Sequence, residues 1–246
     1  MKIIAPNNIK IKAALFLTLF LILGCIISGT FIVNIFSVVD VATDISGYKT
    51  VIIDAGHGGP DGGTSAADGT LEKNLNLQIA HKLNDILGSM GVKTVMTRSE
   101  DISIHDSNAI TIREKKISDL KNRLEIMNEY DDSVFISIHQ NHFSQSKYYG
   151  TQVFYSKNNS HSQLLASSIR QSVITELQQD NSREIKQSGS DIYLLYHARI
   201  PAVMVECGFL SNYEETEKLK DKNYQNKLAF LIALGIMDFL NNTEAV

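Results

Sequence analysis

Val51-Ile52-Ile53-Asp54-Ala55-Gly56-His57-Gly58-Gly59 has the form of a short buried strand that runs straight into a glycine-rich turn. Val51 to Asp54 is apolar and β-branched and ends in a carboxylate, which favours a strand. The glycines then let the backbone bend sharply and leave the imidazole of His57 uncrowded. A histidine at the mouth of a strand is well placed to bind a metal. Leu71-Glu72-Lys73-Asn74 and Ser137-Ile138-His139-Gln140-Asn141 supply possible partners, and Val205-Glu206-Cys207-Gly208-Phe209 supplies a further carboxylate.

Working outward, Thr50–Asp54 is the first strand and the glycine loop runs to Gly69. Glu72 opens a helix, with Leu75, Ile79, Leu83 and Ile86 at roughly helical spacing. Val92–Thr97 is a second strand ending at Arg98. Ser99–Lys116 is polar and charged without a period and reads as an inserted loop. Helices are expected at Ile117–Tyr130, His161–Leu177 and Asn223–Leu240. Further strands are expected at Ser133–Ile138, Thr151–Tyr155, Ile192–Leu195 and Pro201–Val205, with Asp180–Asp191 as a polar turn. Strands alternating with helices indicate one α/β domain: a six-stranded, mostly parallel or mixed sheet flanked by helices. Ligands gather at the carboxyl ends of strands in such sheets. His57, Arg98, His139 and Glu206 all fall just after predicted strands, and Asn141 is close behind His139. Arg98 and Asn141 are therefore candidates for substrate contact.

Before this domain, residues 50–246, lie a leader over residues 1–40 and a short polar linker over 41–49. Lys2, Lys10 and Lys12 precede an uncharged apolar run from Ala13 to Val39. At about 27 residues and about 1.5 Å per residue it is long enough to span a bilayer. The preceding lysines keep the N-terminal end in the cytoplasm. A cleaved signal peptide is the alternative, and Ile22-Leu23-Gly24-Cys25 faintly resembles a lipoprotein cleavage box. Each reading exports the domain. The net charge of −4, with lysine and arginine dispersed, argues against nucleic acid as a partner. With two cysteines and no Cys-x-x-Cys pair, a disulfide framework and a thiolate-rich zinc site are both excluded.

Two imidazoles and one carboxylate are a common hydrolytic zinc set that leaves a position open for water. His57, Glu72 and His139 supply that set for one Zn2+ ion. Glu206, fixed by the apolar strand before it, is placed to take the proton of the attacking water and deliver it to a leaving amine. Each residue also has a plainer role available. The histidines could be loop hydrogen-bonding groups, and Glu72 could favour its helix through the dipole. Glu206 could be a buried structural carboxylate. Cys207 could be a thiol nucleophile with His139 or His197 as base, but it follows an inward apolar run and reads as core.

Taken together, Asp54-Ala55-Gly56-His57-Gly58-Gly59, Glu72, Thr97-Arg98, Ser137-Ile138-His139-Gln140-Asn141 and Val205-Glu206-Cys207-Gly208-Phe209-Leu210-Ser211-Asn212 resemble the zinc-dependent N-acetylmuramoyl-L-alanine amidases of bacterial cell walls. The resemblance covers about Lys49 to Leu240. It implies hydrolysis of the amide between N-acetylmuramic acid and L-alanine in peptidoglycan. It also implies zinc held by His57, Glu72 and His139, with Glu206 as the catalytic carboxylate. Arg123 falls at a position the family favours and is assigned helix packing or loop anchoring. The short chain and the stretch Ile112–Arg123 are similar to the sporulation amidases of endospore formers. That similarity implies a step toward muramic-δ-lactam in the spore cortex, hence germination competence. It also implies a site of action on the outer face of the cytoplasmic membrane, in the forespore/mother-cell intermembrane space. With no wall-binding repeats, the chain is expected to use a protein activator or lipoprotein partner that contacts the inserted loop. The competing readings are a membrane-anchored wall-binding protein with a degenerate site and a zinc hydrolase acting on another wall amide.

Overall fold

A computed structural model describes Tyr48 and residues 50–243 of the chain. The expected leader, and the expected linker apart from Tyr48, lie outside the described residues. Twelve elements follow in order among these residues: β1 (Thr50–Ala55), α1 (Glu72–Ser89), β2 (Lys93–Met96), α2 (Ile112–Asn128), β3 (Ser133–Asn141), β4 (Gln152–Tyr155), α3 (His161–Glu176), β5 (Lys186–Gln187), α4 (Tyr193–His197), β6 (Ala202–Phe209), α5 (Tyr213–Lys220) and α6 (Lys222–Asn242). The strands form one sheet in the order β2-β1-β3-β6-β4-β5. β2, β1, β3 and β6 run parallel, β4 is antiparallel to β6, and β5 is parallel to β4. The sheet is therefore mixed, with its parallel part carrying the apolar strands.

Alternation along the strands gives the two faces different cover. Val51 and Ile53 of β1, Ile136 and Ile138 of β3, and Val203 and Val205 of β6 share one face. They join Leu75, Ile79 and Leu83 of α1, Ile169 of α3 and Ile232 of α6 in the larger core. Ile52, Phe135 and Ala202 stand in register on the other face. They pack with Met127 of α2 and Leu194 and Leu195 of α4 in a smaller core. Two residues further along, that second face carries Asp54, Ser137 and Met204, and then His139 opposite Glu206. The carboxyl end of the less covered face is thus where polar chemistry collects.

Four local expectations are corrected. Ile192–Leu195 is not a strand: Leu194 and Leu195 both enter the same small core, where successive strand residues would point to opposite faces. They belong to the helical turn α4. The sixth strand is instead β5, two exposed residues inside the stretch expected to be a turn. α5 was not expected; Asn212 starts it by accepting from the Glu215 N–H at 3.2 Å. α2 begins at Ile112 rather than Ile117, because Thr111 and Glu114 form a capping box.

The loop left between Arg98 and α2 is tied down at several points. Asp119 accepts from Ser103 Oγ and the Ile104 N–H, and Asn122 donates to the Ile104 carbonyl. Asp101 accepts from the Gly59 N–H and from Lys73.

Candidate metal centre

His57 lies in the turn after β1 with a φ of 61°, a left-handed conformation that is uncommon outside glycine. Two arginines hold that turn. Arg123, from α2, donates to the carbonyls of Ala55 at 2.9 Å and His57 at 2.7 Å. Arg98 donates to Ala55 at 2.8 Å and Gly56 at 3.0 Å, and also to the carbonyls of Lys73 and Glu100. Arg98 is buried with its guanidinium spent on four main-chain carbonyls. In the structure it braces the loop. Arg123 is anchored in turn by Asp119 at 2.6 Å and by the buried Asp54. Asp54 also accepts from Thr97 and Ser137. Burial would raise its pKa, but Arg123, Ser137 and Thr97 outweigh burial and hold it at about 2.

Glu72, the first residue of α1, is buried below this turn. Its Oε2 accepts from the Thr64 N–H at 2.9 Å and its Oε1 from the Gln140 N–H at 3.1 Å. His57 Nε2 stands 3.2 Å from Oε2, and His139 Nδ1 stands 2.9 Å from Oε1. Donor atoms of His57, Glu72 and His139 all lie within 4.8 Å of one another. Glycine is required on both sides of this group. A Cβ at Gly56 would overlap the ring of His139, and one at Gly63 would overlap Glu72 and His57.

The electrostatics match a cation site. Burial would raise the Glu72 carboxyl, but hydrogen bonds and charge from His139 and His57 carry it well below the usual carboxylate range. Burial would lower His57, but Asp61 and Glu72 outweigh it and raise His57 to about 9. A divalent ion therefore competes with a proton for the His57 imidazole. His57 Nδ1 meets Asp61 Oδ2 at 2.9 Å, leaving Nε2 to face Glu72. A carboxylate behind a histidine is the usual way to fix the tautomer and orientation of a metal ligand. Two imidazoles, one carboxylate and an orienting aspartate fit a hydrolytic zinc ion, which takes such a set with an open position.

Glu206 stands opposite His139 in the register of β3 and β6. Its Oε2 is covered and has no hydrogen-bond partner. Burial, helped by the charge of Glu72 and opposed by His139 and His57, pushes its carboxyl up to about 7. A carboxylate that titrates near neutrality suits proton transfer. Cys207 points to the other face, is wholly buried, and has its thiol pushed up chiefly by burial, so it is core rather than nucleophile. Asn141 is half-buried at the end of β3, where its carbonyl accepts from the Leu210 N–H at 2.8 Å. A cleft of about 190 Å³ opens on this face, lined by His57, Asp61, Lys116, His139, Tyr193 and Met204 among others. Asp61 and Asp54 were not singled out as site residues from sequence. The only signal for Asp61 is its position four residues after His57.

The family model for N-acetylmuramoyl-L-alanine amidases matches residues 51–238. The germination-specific N-acetylmuramoyl-L-alanine amidase of Bacillus subtilis is 31% identical over 191 residues, covering 78% of this chain and 79% of that one. AmiA of Escherichia coli is 26% identical, covering 79% and 77%. Among solved structures, the CwlD amidase of Clostridioides difficile, in complex with the GerS lipoprotein, is 44% identical with a TM-score of 0.75. That match covers 78% of this chain and 98% of that one. The catalytic domain of CwlV from Bacillus (Paenibacillus) polymyxa is 30% identical with a TM-score of 0.66, covering 79% and 99%.

Proposed function

The chain belongs to the N-acetylmuramoyl-L-alanine amidase family, and on that premise we propose that it works as a one-zinc hydrolase of spore cortex peptidoglycan. The reaction is cleavage of the amide between N-acetylmuramic acid and L-alanine. The observation that carries the zinc reading is the convergence of His57, Glu72 and His139 within 4.8 Å, with Glu206 in register beside His139. These three residues would hold the ion. When bound, zinc polarises the amide carbonyl and acidifies water, whose pKa falls from about 15.7 toward about 7. Glu206 takes a proton from the attacking water and passes it to the departing amine of L-alanine, so the carboxylate is regenerated. Asp61 keeps His57 in the tautomer that offers Nε2. The cleft between α2 and α4 receives the substrate, and Asn141, at the end of β3, is assigned a contact with it.

The cortex role rests on the likeness to the germination-specific amidase of B. subtilis and to CwlD. It sets the action outside the cytoplasmic membrane, in the forespore/mother-cell intermembrane space. Residues 1–40 would serve as anchor or signal and residues 50–246 as the catalytic domain. No helix among the described residues is long and apolar enough to cross a membrane. A lipoprotein partner is favoured by two observations. CwlD was solved with one. In this chain the segment expected to meet a partner exposes Ile102, Ile110 and Ile112, with Ile110 83% and Ile112 70% exposed.

The decisive experiment compares wild type with Glu206→Gln, measuring zinc content together with peptide release from peptidoglycan by mass spectrometry. The variant is expected to keep its zinc and lose activity by about 10²- to 10⁴-fold, the usual contribution of a general base. Undiminished release of peptides beginning with L-alanine would remove Glu206 from the chemistry.

A further inference from the structure

We propose that Asn76 is a positioning residue for the metal centre, joining the three chain segments that carry the ligands; the inference rests on the zinc reading above. Asn76 lies one turn after Glu72 in α1 and is wholly buried. Its Nδ2 donates to the carbonyl of Gly56, the residue before His57, at 3.2 Å, and to Glu72 Oε1 at 3.3 Å. Its Oδ1 accepts from Gln140 Nε2, on the residue after His139, at 3.1 Å. One amide therefore reaches the turn of the first ligand, the second ligand itself and the strand of the third.

The rest of the inner side of α1 shows how unusual this placement is. Leu75, Ile79, Ala80, Leu83 and Leu87 are all buried and apolar. A leucine at position 76 would serve packing at least as well, and a buried amide is costly unless its hydrogen bonds are made. Asn76 makes three, all directed at the ligand segments. The consequence falls on the Glu72 carboxylate. Oε1 receives the Asn76 amide and the Gln140 N–H, while Oε2 receives the Thr64 N–H. These donors fix the plane of the carboxylate and so the direction of the lone pairs left for a cation. Without Asn76, Glu72 loses one of those restraints and Gln140 Nε2 loses the acceptor it has in Asn76 Oδ1. Partners of this kind affect metal affinity by about 10- to 100-fold.

The test uses the full chain purified in detergent, with Asn76→Leu and Gln140→Leu beside wild type. Zinc affinity is read by competition with a chromophoric chelator, ligand geometry by the visible spectrum of the cobalt-substituted protein, and folding by thermal melting with and without zinc. Asn76→Leu is expected to bind zinc about 10- to 100-fold more weakly. It should also show an altered cobalt spectrum and a smaller rise in melting temperature on adding zinc. Gln140→Leu keeps its main-chain N–H on Glu72, so its loss should be smaller, within about tenfold. A residue that merely fills space would leave affinity and spectrum unchanged in the folded variants, and that result overturns the proposal. If Asn76→Leu does not melt cooperatively, Gln140→Leu decides: unchanged zinc affinity overturns the proposal, and weakened affinity supports it. Wild type that takes up no zinc overturns the metal reading itself. Wild type that binds zinc alongside variants that match it overturns only the role of Asn76.

Discussion

Val51, Ile53, Ile136, Ile138, Val203 and Val205 meet three helices on one face of the sheet, whereas the same strands present Asp54, Ser137, His139 and Glu206 at the end of the other. The apolar face draws its stability from area removed from water, a non-directional quantity spread over many side chains. The polar face depends on a few directed contacts, and the loss of one leaves its partner buried and unpaired. One sheet thus combines a tolerant half, which holds the fold, with an intolerant half, which holds the proposed metal ligands.

The sharpest way to break this comparison is Arg123→Leu. It strips Asp54 and Asp119 of their guanidinium, frees the His57 carbonyl and leaves the Ala55 carbonyl to Arg98 alone. Removing one member of a buried charge cluster costs about 3–5 kcal/mol. Urea denaturation should show that loss, with zinc affinity falling too because the His57 turn is released. Next comes Ile136→Ala on the apolar face, a cavity worth about 3 kcal/mol. It should lower the urea midpoint while leaving the zinc affinity of the folded protein unchanged. If it weakens zinc binding as much as Arg123→Leu, the two faces are not independent.

Acid sharpens the comparison further. Asp54 has a pKa near 2 folded, against an ordinary 3.8. A carboxyl lowered by folding contributes stability that is complete above its unfolded pKa and lost as pH falls through the folded one. Wild type should therefore lose about 2 kcal/mol between about pH 4 and pH 2 that Asp54→Asn does not lose. Urea midpoints of the two proteins at a series of acid pH values measure the difference. The smallest effect is expected from Thr111→Ala, which opens the capping box of α2 at the exposed rim. The cost is about 1 kcal/mol by thermal melting. Zinc affinity should not change, since Thr111 touches none of the ligand segments.

How far the sequence could be read differs between these halves. His57, His139 and Glu206 stand at the ends of apolar strands, where pattern alone says ligands collect, and Glu72 opens a helix with a clear period. Their neighbours carry no such mark. Asn76 and Gln140 are polar residues in ordinary element interiors, and only the crossing of α1 under β3 makes them partners. An arginine after a strand looks the same whether it binds substrate or, like Arg98, clamps carbonyls. In the fold, the mixed α/β sheet followed from the alternation of elements. The errors fell where pattern is ambiguous or absent. Ile192–Leu195 is a short apolar run that suits a strand or a helix, β5 is two polar edge residues, and α5 is largely polar on its outer turns.

The strand order has a consequence for the timing of synthesis. β6 is the last strand along the chain, yet it sits in the sheet interior between β3 and β4. A ribosome releases all three proposed ligand residues well before Ala202, but until β6 arrives β3 has an open edge and the β4-β5 pair has no strand linking it to the rest of the sheet. Glu206 comes with that same strand. On the reaction proposed above, the emerging protein would carry every metal-binding side chain and still be unable to cut anything, and hydrolytic competence would be delivered by the strand that closes the sheet.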